Sequence, residues 1–224
     1  MSPDRTPAGG HHLLTPADGV RIAPAVRAHL AHGGLLADPT ATVYGLGSAV
    51  TATGLAALAR LKGRQPDKPF LMLVSGLEML EATGLALNAN ARAMAREFWP
   101  GPLTLVLPGG EGQVPDGMRG TEGGVAVRWT SHAALAALIE AMGIPITSTS
   151  ANRPGGATAP GIDGVRQLFG DAVADGTLML LDGGVLGNVP PSTLVDCTGP
   201  LPRIVRDGAI PRRELRRRVG SLAP

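Results

Sequence analysis

The sequence is poor in the residues on which several common chemistries and locations depend. Cys197 is the single cysteine in 224 residues, so the chain forms neither an intramolecular disulfide nor a cysteine-based zinc cluster. Aromatic residues make up only 3% of the chain, which leaves alanine, leucine and valine to fill the core. The chain has neither an N-terminal signal region nor an apolar run of about 18 residues. These absences predict a cytoplasmic protein without a membrane segment.

The familiar nucleotide-binding and hydrolytic motifs are also missing. The sequence contains no Gly-x-x-x-x-Gly-Lys-Ser/Thr loop, no Gly-x-Gly-x-x-Gly after a strand, no His-Glu-x-x-His helix and no Gly-x-Ser-x-Gly elbow. His29 and His32 share a predicted helix, but no third metal ligand accompanies them. We therefore expect no P-loop, no Rossmann site, no protein-held metal and no enzyme nucleophile, and the catalytic residues are not identified.

The composition that is present predicts a single α/β domain. Hydrophobic residues make up 44% of the chain, and 32 glycines with 20 prolines indicate many turns between short elements. Helical and strand patterns interleave, which favours a mixed sheet flanked by helices. We expect a loose tail over 1–19, a domain over 20–210 and a basic tail or helix over 211–224. Predicted helices cover 20–30, 51–62, 90–98, 131–143 and 161–169, and predicted strands cover 35–37, 70–74, 103–107, 125–129, 144–147, 178–181, 193–195 and 204–205.

The polar run that follows Ile146 is the most informative segment. It reads Thr-Ser-Thr-Ser-Ala-Asn-Arg-Pro-Gly-Gly, and a core strand is not expected to continue into it. Hydroxyl groups and free backbone N–H groups beside glycines suit a site for phosphate or carboxylate. The alternative is a Ser/Asn-rich loop with an Asx-turn.

Basic residues cluster where a helix ends and a strand begins. Lys62, Arg64 and Lys68 lie within seven residues, and such cations suit a polyphosphate. The alternative, a favourable interaction of Lys62 with the helix C-terminus, explains only that residue. Arg128 and Arg206 each follow an apolar strand, and ligand sites in α/β sheets gather at strand ends.

Two further segments leave alternatives open. The segment 39–47 reads Pro-Thr-Ala-Thr-Val-Tyr-Gly-Leu-Gly and either lines a polar pocket or forms a strand and turn with Tyr44 half-buried. Five arginines crowd 212–218 and suit either an acidic partner such as RNA or a solvated terminal helix.

The ordered set of these segments resembles the YrdC family of threonylcarbamoyl-AMP synthases. The resemblance rests on 39–47, Lys62-Gly63-Arg64 with Lys68-Pro69, 99–104, Val127-Arg128, 148–155, 192–196 and 206–208, and covers about residues 20–210. It implies a single-domain YrdC-like fold in which a twisted mixed sheet flanked by helices surrounds a concave basic cavity.

The resemblance also implies a reaction. L-threonine, bicarbonate or CO2, and ATP give threonylcarbamoyl-AMP and pyrophosphate, and Mg²⁺ accompanies the ATP. A downstream threonylcarbamoyl transferase complex then modifies adenosine in tRNA. Contact of this chain with tRNA or double-stranded RNA is left open.

The implied site residues fall into two groups, with no evident general base for the threonine amine. Thr40 and Ser192 resemble threonine-binding residues. The residues that resemble ATP-binding ones are Lys62, Arg64, Lys68, Arg128, Ser148, Ser150, Asn152 and Arg206.

The chain departs from the family pattern at Ala41, where an acidic residue is usual. One alternative is therefore a non-catalytic YrdC-like paralogue that binds RNA or nucleotides. A plain RNA-binding module is a second alternative, which the scarcity of aromatic stacking residues disfavours.

Overall fold

The fold is a ten-stranded mixed sheet with helices on both faces, as the sequence predicts. The computed structural model describes residues 11–40, 43–63, 68–186, 189–219 and 222. The strands are β1 His11–Leu13, β2 Leu35–Pro39, β3 Tyr44–Gly47, β4 Leu71–Val74, β5 Leu103–Leu107, β6 Val125–Trp129, β7 Ile146–Ser150, β8 Leu178–Asp182, β9 Thr193–Asp196 and β10 Arg203–Arg206. Their order is β1-β8-β2-β3-β7-β4-β6-β5-β9-β10. Pairs β1/β8, β2/β8, β4/β6 and β5/β9 are parallel, and the others are antiparallel.

The helices divide between two apolar clusters, one on each face of the sheet. They are α1 Pro16–Ala31, α2 Ala52–Lys62, α3 Leu77–Glu81, α4 Ala89–Phe98, α5 Ala133–Met142, α6 Ile162–Leu168, α7 Gly170–Ala174 and α8 Arg212–Val219. Helices α1 and α5 pack with Leu36 of β2 and Ile146 of β7. The remaining helices pack with the alternate strand positions, such as Leu35 and Ala37. Strand side chains point to opposite faces in turn, so β2 contributes to both clusters.

The segment 1–19 is not a loose tail throughout, which corrects that prediction. Residues 11–13 pair with β8, and α1 begins at Pro16 rather than at Val20. Thr15 and Asp18 form a capping box, and Pro16 occupies the first turn, where its missing N–H costs nothing. Residues 1–10 lie outside the described residues.

Glycines and caps set the other helix ends largely as expected. Thr51 caps α2 by accepting a hydrogen bond from the Gly54 N–H at 3.1 Å, and left-handed Gly63 ends that helix. Helix α5 lies within the predicted range 131–143, with His132 as its N-cap and Gly143 as its C-cap. The His132 ring is half-buried, and its Nδ1 accepts a hydrogen bond from the Leu135 N–H.

The segment 39–47 contains strand β3, and Tyr44 is fully buried rather than half-buried. Its hydroxyl donates to the Gly184 carbonyl at 2.8 Å and accepts from the Gly183 N–H at 2.9 Å. Gly47 faces the neighbouring strand so closely that a Cβ there would lie 2.8 Å from the Thr147 carbonyl oxygen.

Strand β7 continues through Ser150, so the expectation that it stops at Thr147 is wrong. Ile146 packs into the α1/α5 cluster, whereas Ser148 and Ser150, on the same face, line a cavity. The strand can continue through these polar residues because they face the cavity, where apolar side chains do not cover the sheet.

The C-terminal arginines lie on α8, which packs against α4. Leu215 is buried in the core, and Arg218 lies 3.5 Å from Glu97. Across the described residues, no helix combines the length and apolar character that a bilayer span needs.

Candidate functional site

The site is a cavity of about 560 Å³ on the sheet face that also carries α1 and α5. Strands β3, β7, β4, β6, β5, β9 and β10 contribute to its floor and walls. Seven predicted site residues line it, and they come from six separate segments: Thr40, Lys68, Arg128, Ser148, Ser150, Ser192 and Arg206. The fold therefore brings together residues that are up to 166 positions apart in the chain (from Thr40 to Arg206).

The cations of the cavity favour a multiply charged anion. Arg128 is buried on β6 and donates through Nε to the Gly101 carbonyl at 3.1 Å. Burial, and then the nearby charge of Arg206, lower the pKa of Arg128 to about 10. Burial also lowers the pKa of Arg206. An anion bound between the two arginines would offset both effects, because it favours the charged guanidinium forms.

Arg206 also holds the residue predicted to bind threonine. Its Nη2 donates to the Ser192 carbonyl at 2.9 Å and lies 3.3 Å from Ser192 Oγ. The Ser192 hydroxyl also shares a 2.8 Å hydrogen bond with Thr104 Oγ1. On the opposite wall, the Thr40 hydroxyl donates to the Val43 carbonyl at 2.6 Å. Both hydroxyls are buried and fixed in orientation, and they lie at different sides of the cavity lining.

Two of the predicted ATP-binding residues do not line the cavity. Lys62 is buried, and its Nζ donates to the carbonyl and side-chain oxygens of Ser150 and Asn152, including the Asn152 carbonyl at 2.7 Å. Asn152 in turn accepts from the Ser150 hydroxyl at 2.7 Å and donates to the Gly156 carbonyl at 2.6 Å. Both side chains therefore shape the loop after β7 and position the Ser150 hydroxyl.

Sequence reasoning missed an ion-pair cluster at the rim of the cavity. Arg203 on β10 lies 2.9 Å from Glu122 and 3.0 Å from Asp196, and all three residues line the cavity. The hydrogen bonds from Thr198 and Arg203 keep the pKa of Asp196 low despite its burial. No local sequence signal marks this cluster, because its members come from three separate segments.

Two of the positions discussed from the sequence, Arg64 and Ala41, lie outside the described residues. Within the described ranges, no three histidine, cysteine, aspartate or glutamate side chains converge as a metal site. Cys197 is a buried thiol, and burial raises its pKa to about 12, which is unsuited to a nucleophile.

The chain is similar in sequence to members of one known family. The model of the Sua5/YciO/YrdC family, described as "Telomere recombination", matches residues 28–208. A Chromohalobacter salexigens protein named threonylcarbamoyl-AMP synthase is 40% identical over 79% of this chain and 92% of its own length. A Thiobacillus denitrificans protein of the same name is 37% identical over 80% of this chain and 94% of its own length.

A solved structure extends the likeness to three dimensions. The crystal structure of Pyrococcus abyssi Sua5 complexed with L-threonine is 32% identical, with a TM-score of 0.81 over 93% of this chain. The chain spans 59% of the length of that protein. The family-model match over residues 28–208, together with relatives that are 37% and 40% identical over most of the chain, shows that the chain belongs to the Sua5/YciO/YrdC family.

Proposed function

We propose that the chain is a threonylcarbamoyl-AMP synthase, which makes threonylcarbamoyl-AMP and pyrophosphate from L-threonine, bicarbonate or CO2, and ATP. One observation carries the proposal: a single cavity joins the buried Arg128, together with Arg206 and Lys68, to a set of hydroxyl groups held by hydrogen bonds. Relatives that carry this name cover most of the chain and share most of their own length with it. Together these findings support the synthase over a non-catalytic RNA- or nucleotide-binding paralogue.

The cavity chemistry divides between the two substrates. Lys68, Arg128 and Arg206 would hold the triphosphate, since arginine offers a planar fork and lysine a point charge. The Ser148 and Ser150 hydroxyls would donate to phosphate oxygens, and Arg64 is proposed for the same anion. Thr40 and Ser192 would hold threonine. Lys62 and Asn152 would act as positioning residues through their contacts with the loop after β7.

The reaction needs two bond-forming steps. The neutral threonine amine attacks bicarbonate, which gives the carbamate and water. A carbamate oxygen then attacks the α-phosphorus of ATP and displaces pyrophosphate. The arginines of the cavity would neutralise the charge that develops on the phosphate oxygens, so positioning and electrostatics supply the catalysis without a covalent enzyme intermediate.

Mg²⁺ is proposed to arrive with ATP, where it neutralises phosphate charge. The residues present fit this arrangement, because the two cavity carboxylates, Glu122 and Asp196, are already paired with Arg203. Phosphate oxygens rather than protein side chains would then supply most of its ligands. A cytoplasmic location, a downstream transferase complex and any contact with RNA are further proposals from the resemblance.

The direct test is pyrophosphate release from ATP by the purified protein in bicarbonate buffer. Release that depends on L-threonine and is far slower with L-serine is the expected result. Tight, salt-sensitive RNA binding without any threonine-dependent release would instead favour the paralogue.

A further inference from the structure

Asp38 is a buried carboxylate that accepts no hydrogen bond from the described residues. It lies on β2, is fully buried, and neither of its carboxylate oxygens has a hydrogen-bond partner in the part of the chain that the structure describes. Burial without a partner is costly for an ionised carboxylate. Such a group persists in a fold when a ligand supplies the missing partner or when the proton remains bound.

The position of Asp38 favours a ligand that enters through the cavity. Along one face of β2, Leu36 packs into the α1/α5 cluster and Thr40 lines the cavity. Asp38 lies on the same face of the sheet, between Leu36 and Thr40, at the boundary between the apolar core and the cavity. Gly45 is its register partner on β3 and also lines the cavity.

Three side chains converge on the space above Gly45. A Cβ placed on Gly45 would lie 3.2 Å from Asp38 Oδ2, 3.0 Å from Ser148 Oγ and 3.2 Å from Thr40 Cγ2. A Cβ on Gly47 would lie 3.2 Å from the other carboxylate oxygen. Because both facing residues are glycines, no side chain from β3 separates the carboxylate from Thr40 and Ser148, which line the cavity.

We propose that Asp38 binds the α-ammonium group of the amino-acid substrate and accepts the proton that this nitrogen loses before it attacks bicarbonate. The proposal rests on the proposed function. The ammonium gives one proton to the Asp38 carboxylate, which leaves a neutral amine and a carboxylic acid. The amine lone pair then forms the C–N bond with bicarbonate, and carbamate and water result.

The charges around the cavity support this assignment. Arg128, Arg206 and Lys68 suit phosphate, and Glu122 and Asp196 are paired with Arg203. Asp38 is left as the carboxylate beside Thr40, which is itself proposed to bind threonine. Burial raises the pKa of Asp38 to about 7, which suits a proton acceptor that works near neutral pH. Thr40 and Ser148 are the cavity-lining residues next to Asp38, so the ammonium group would reach the carboxylate past these two side chains.

The experiment compares L-threonine with (R)-3-hydroxybutanoate, which keeps the carboxylate, hydroxyl and methyl groups but lacks the amino group. Calorimetry on wild type and on Asp38→Asn, a change that conserves shape, measures both ligands. We expect Asp38→Asn to weaken L-threonine binding at least about 10-fold, as for the loss of a charged hydrogen bond. Binding of the deaminated analogue should be unchanged. At saturating L-threonine, kcat for pyrophosphate release should fall about 100-fold or more.

A second variant approaches the same contact from the other strand. Gly45→Ala fills the space above the carboxylate and should also weaken L-threonine binding, whereas Gly170→Ala, where a Cβ meets open space, should leave L-threonine binding unchanged.

Equal L-threonine affinity and kcat in folded Asp38→Asn would overturn the inference while leaving the proposed function intact. An equal loss of affinity for L-threonine and for the deaminated analogue would mean that Asp38 has only a structural role, and it would also overturn the inference. A rise in the thermal midpoint of wild type but not Asp38→Asn with KCl or MgCl2 alone, and unchanged threonine affinity, would assign the carboxylate to a metal cation instead. Failure of wild type to bind L-threonine would overturn the proposed function itself.

Discussion

Removing the buried charge of Asp38 should stabilise the ligand-free protein in a pH-dependent way. The pKa of Asp38 rises from 3.8 to about 7 on folding, with burial as the cause. This shift corresponds to about 4 kcal/mol, at about 1.4 kcal/mol for each pKa unit. The folded state binds the proton more tightly than the unfolded state, so the contribution of Asp38 to the stability of wild type falls as pH rises from about 4 to about 7 and then levels off. Asp38→Asn resembles the protonated form at every pH.

The difference between the two proteins is the quantity to measure. Urea unfolding, followed by the fluorescence of Trp99 and Trp129, gives the free energy of unfolding of each protein from pH 5 to pH 8.5. Asp38→Asn should be more stable by about 2 kcal/mol at pH 5 and by about 4 kcal/mol above pH 8. The other titrating groups cancel in this comparison. The exposed carboxylate of Asp171 supplies the control, since Asp171→Asn should show no comparable rise.

Two results would refute the reasoning. A stability difference that does not change with pH would mean that Asp38 has the same pKa in the folded and unfolded states. Lower stability of Asp38→Asn across the whole range would mean that the folded protein stabilises the ionised carboxylate. Either result would mean that the folded protein does not hold Asp38 as an unpartnered buried charge, which is the premise of the prediction.

Three further predictions follow from contacts in and around the cavity. Lys62→Met should lower the free energy of unfolding by about 1–3 kcal/mol, because it removes the hydrogen-bond donor to buried oxygens of the loop after β7. The control is Arg60→Met at an exposed position, and equal free energies of unfolding for the two variants in urea titrations would contradict the prediction. Gly47→Ala should lower it by about 1–3 kcal/mol, since its Cβ would lie 2.8 Å from a backbone carbonyl oxygen of β7; a thermal midpoint matching that of Gly170→Ala would count against the close contact. Ser192→Ala should raise the L-threonine concentration for half-maximal pyrophosphate release several-fold and leave that for ATP unchanged, and a matched loss of both would end the proposed division between substrates.

Local patterns predicted the architecture well where a strand or helix is covered by apolar neighbours. The core strand β5 and the helix predicted over 51–62 are confirmed, because apolar periodicity and helix capping are properties of a few adjacent residues. Strand β7 was predicted too short, since its second half faces a cavity and apolar patterning stops where the core stops. The predicted loose tail was wrong over 11–19, where the capping box at Thr15 was overlooked.

The site was predictable as a set of residue types but not as an arrangement. Ser148, Arg128 and Arg206 were identified from polar residues at strand ends and from the resemblance, and all line one cavity. The Lys62 side chain points toward the loop after β7, and this orientation depends on where α2 ends relative to β7. No local sequence pattern contains that information. Asp38 was missed because it reads as the start of a turn before proline, and its burial becomes visible only when β3 pairs against it.

Strand β7 carries core and site on a single stretch of five residues, and this arrangement predicts a sharp boundary in mutational tolerance. Substitutions at Ile146 and Thr147, which are wholly enclosed, should reduce the amount of folded protein in cells. Substitutions at Ser148 and Ser150 should spare abundance and reduce turnover. A deep mutational scan that scores abundance and activity separately would therefore change from one phenotype to the other between two adjacent residues of the same strand.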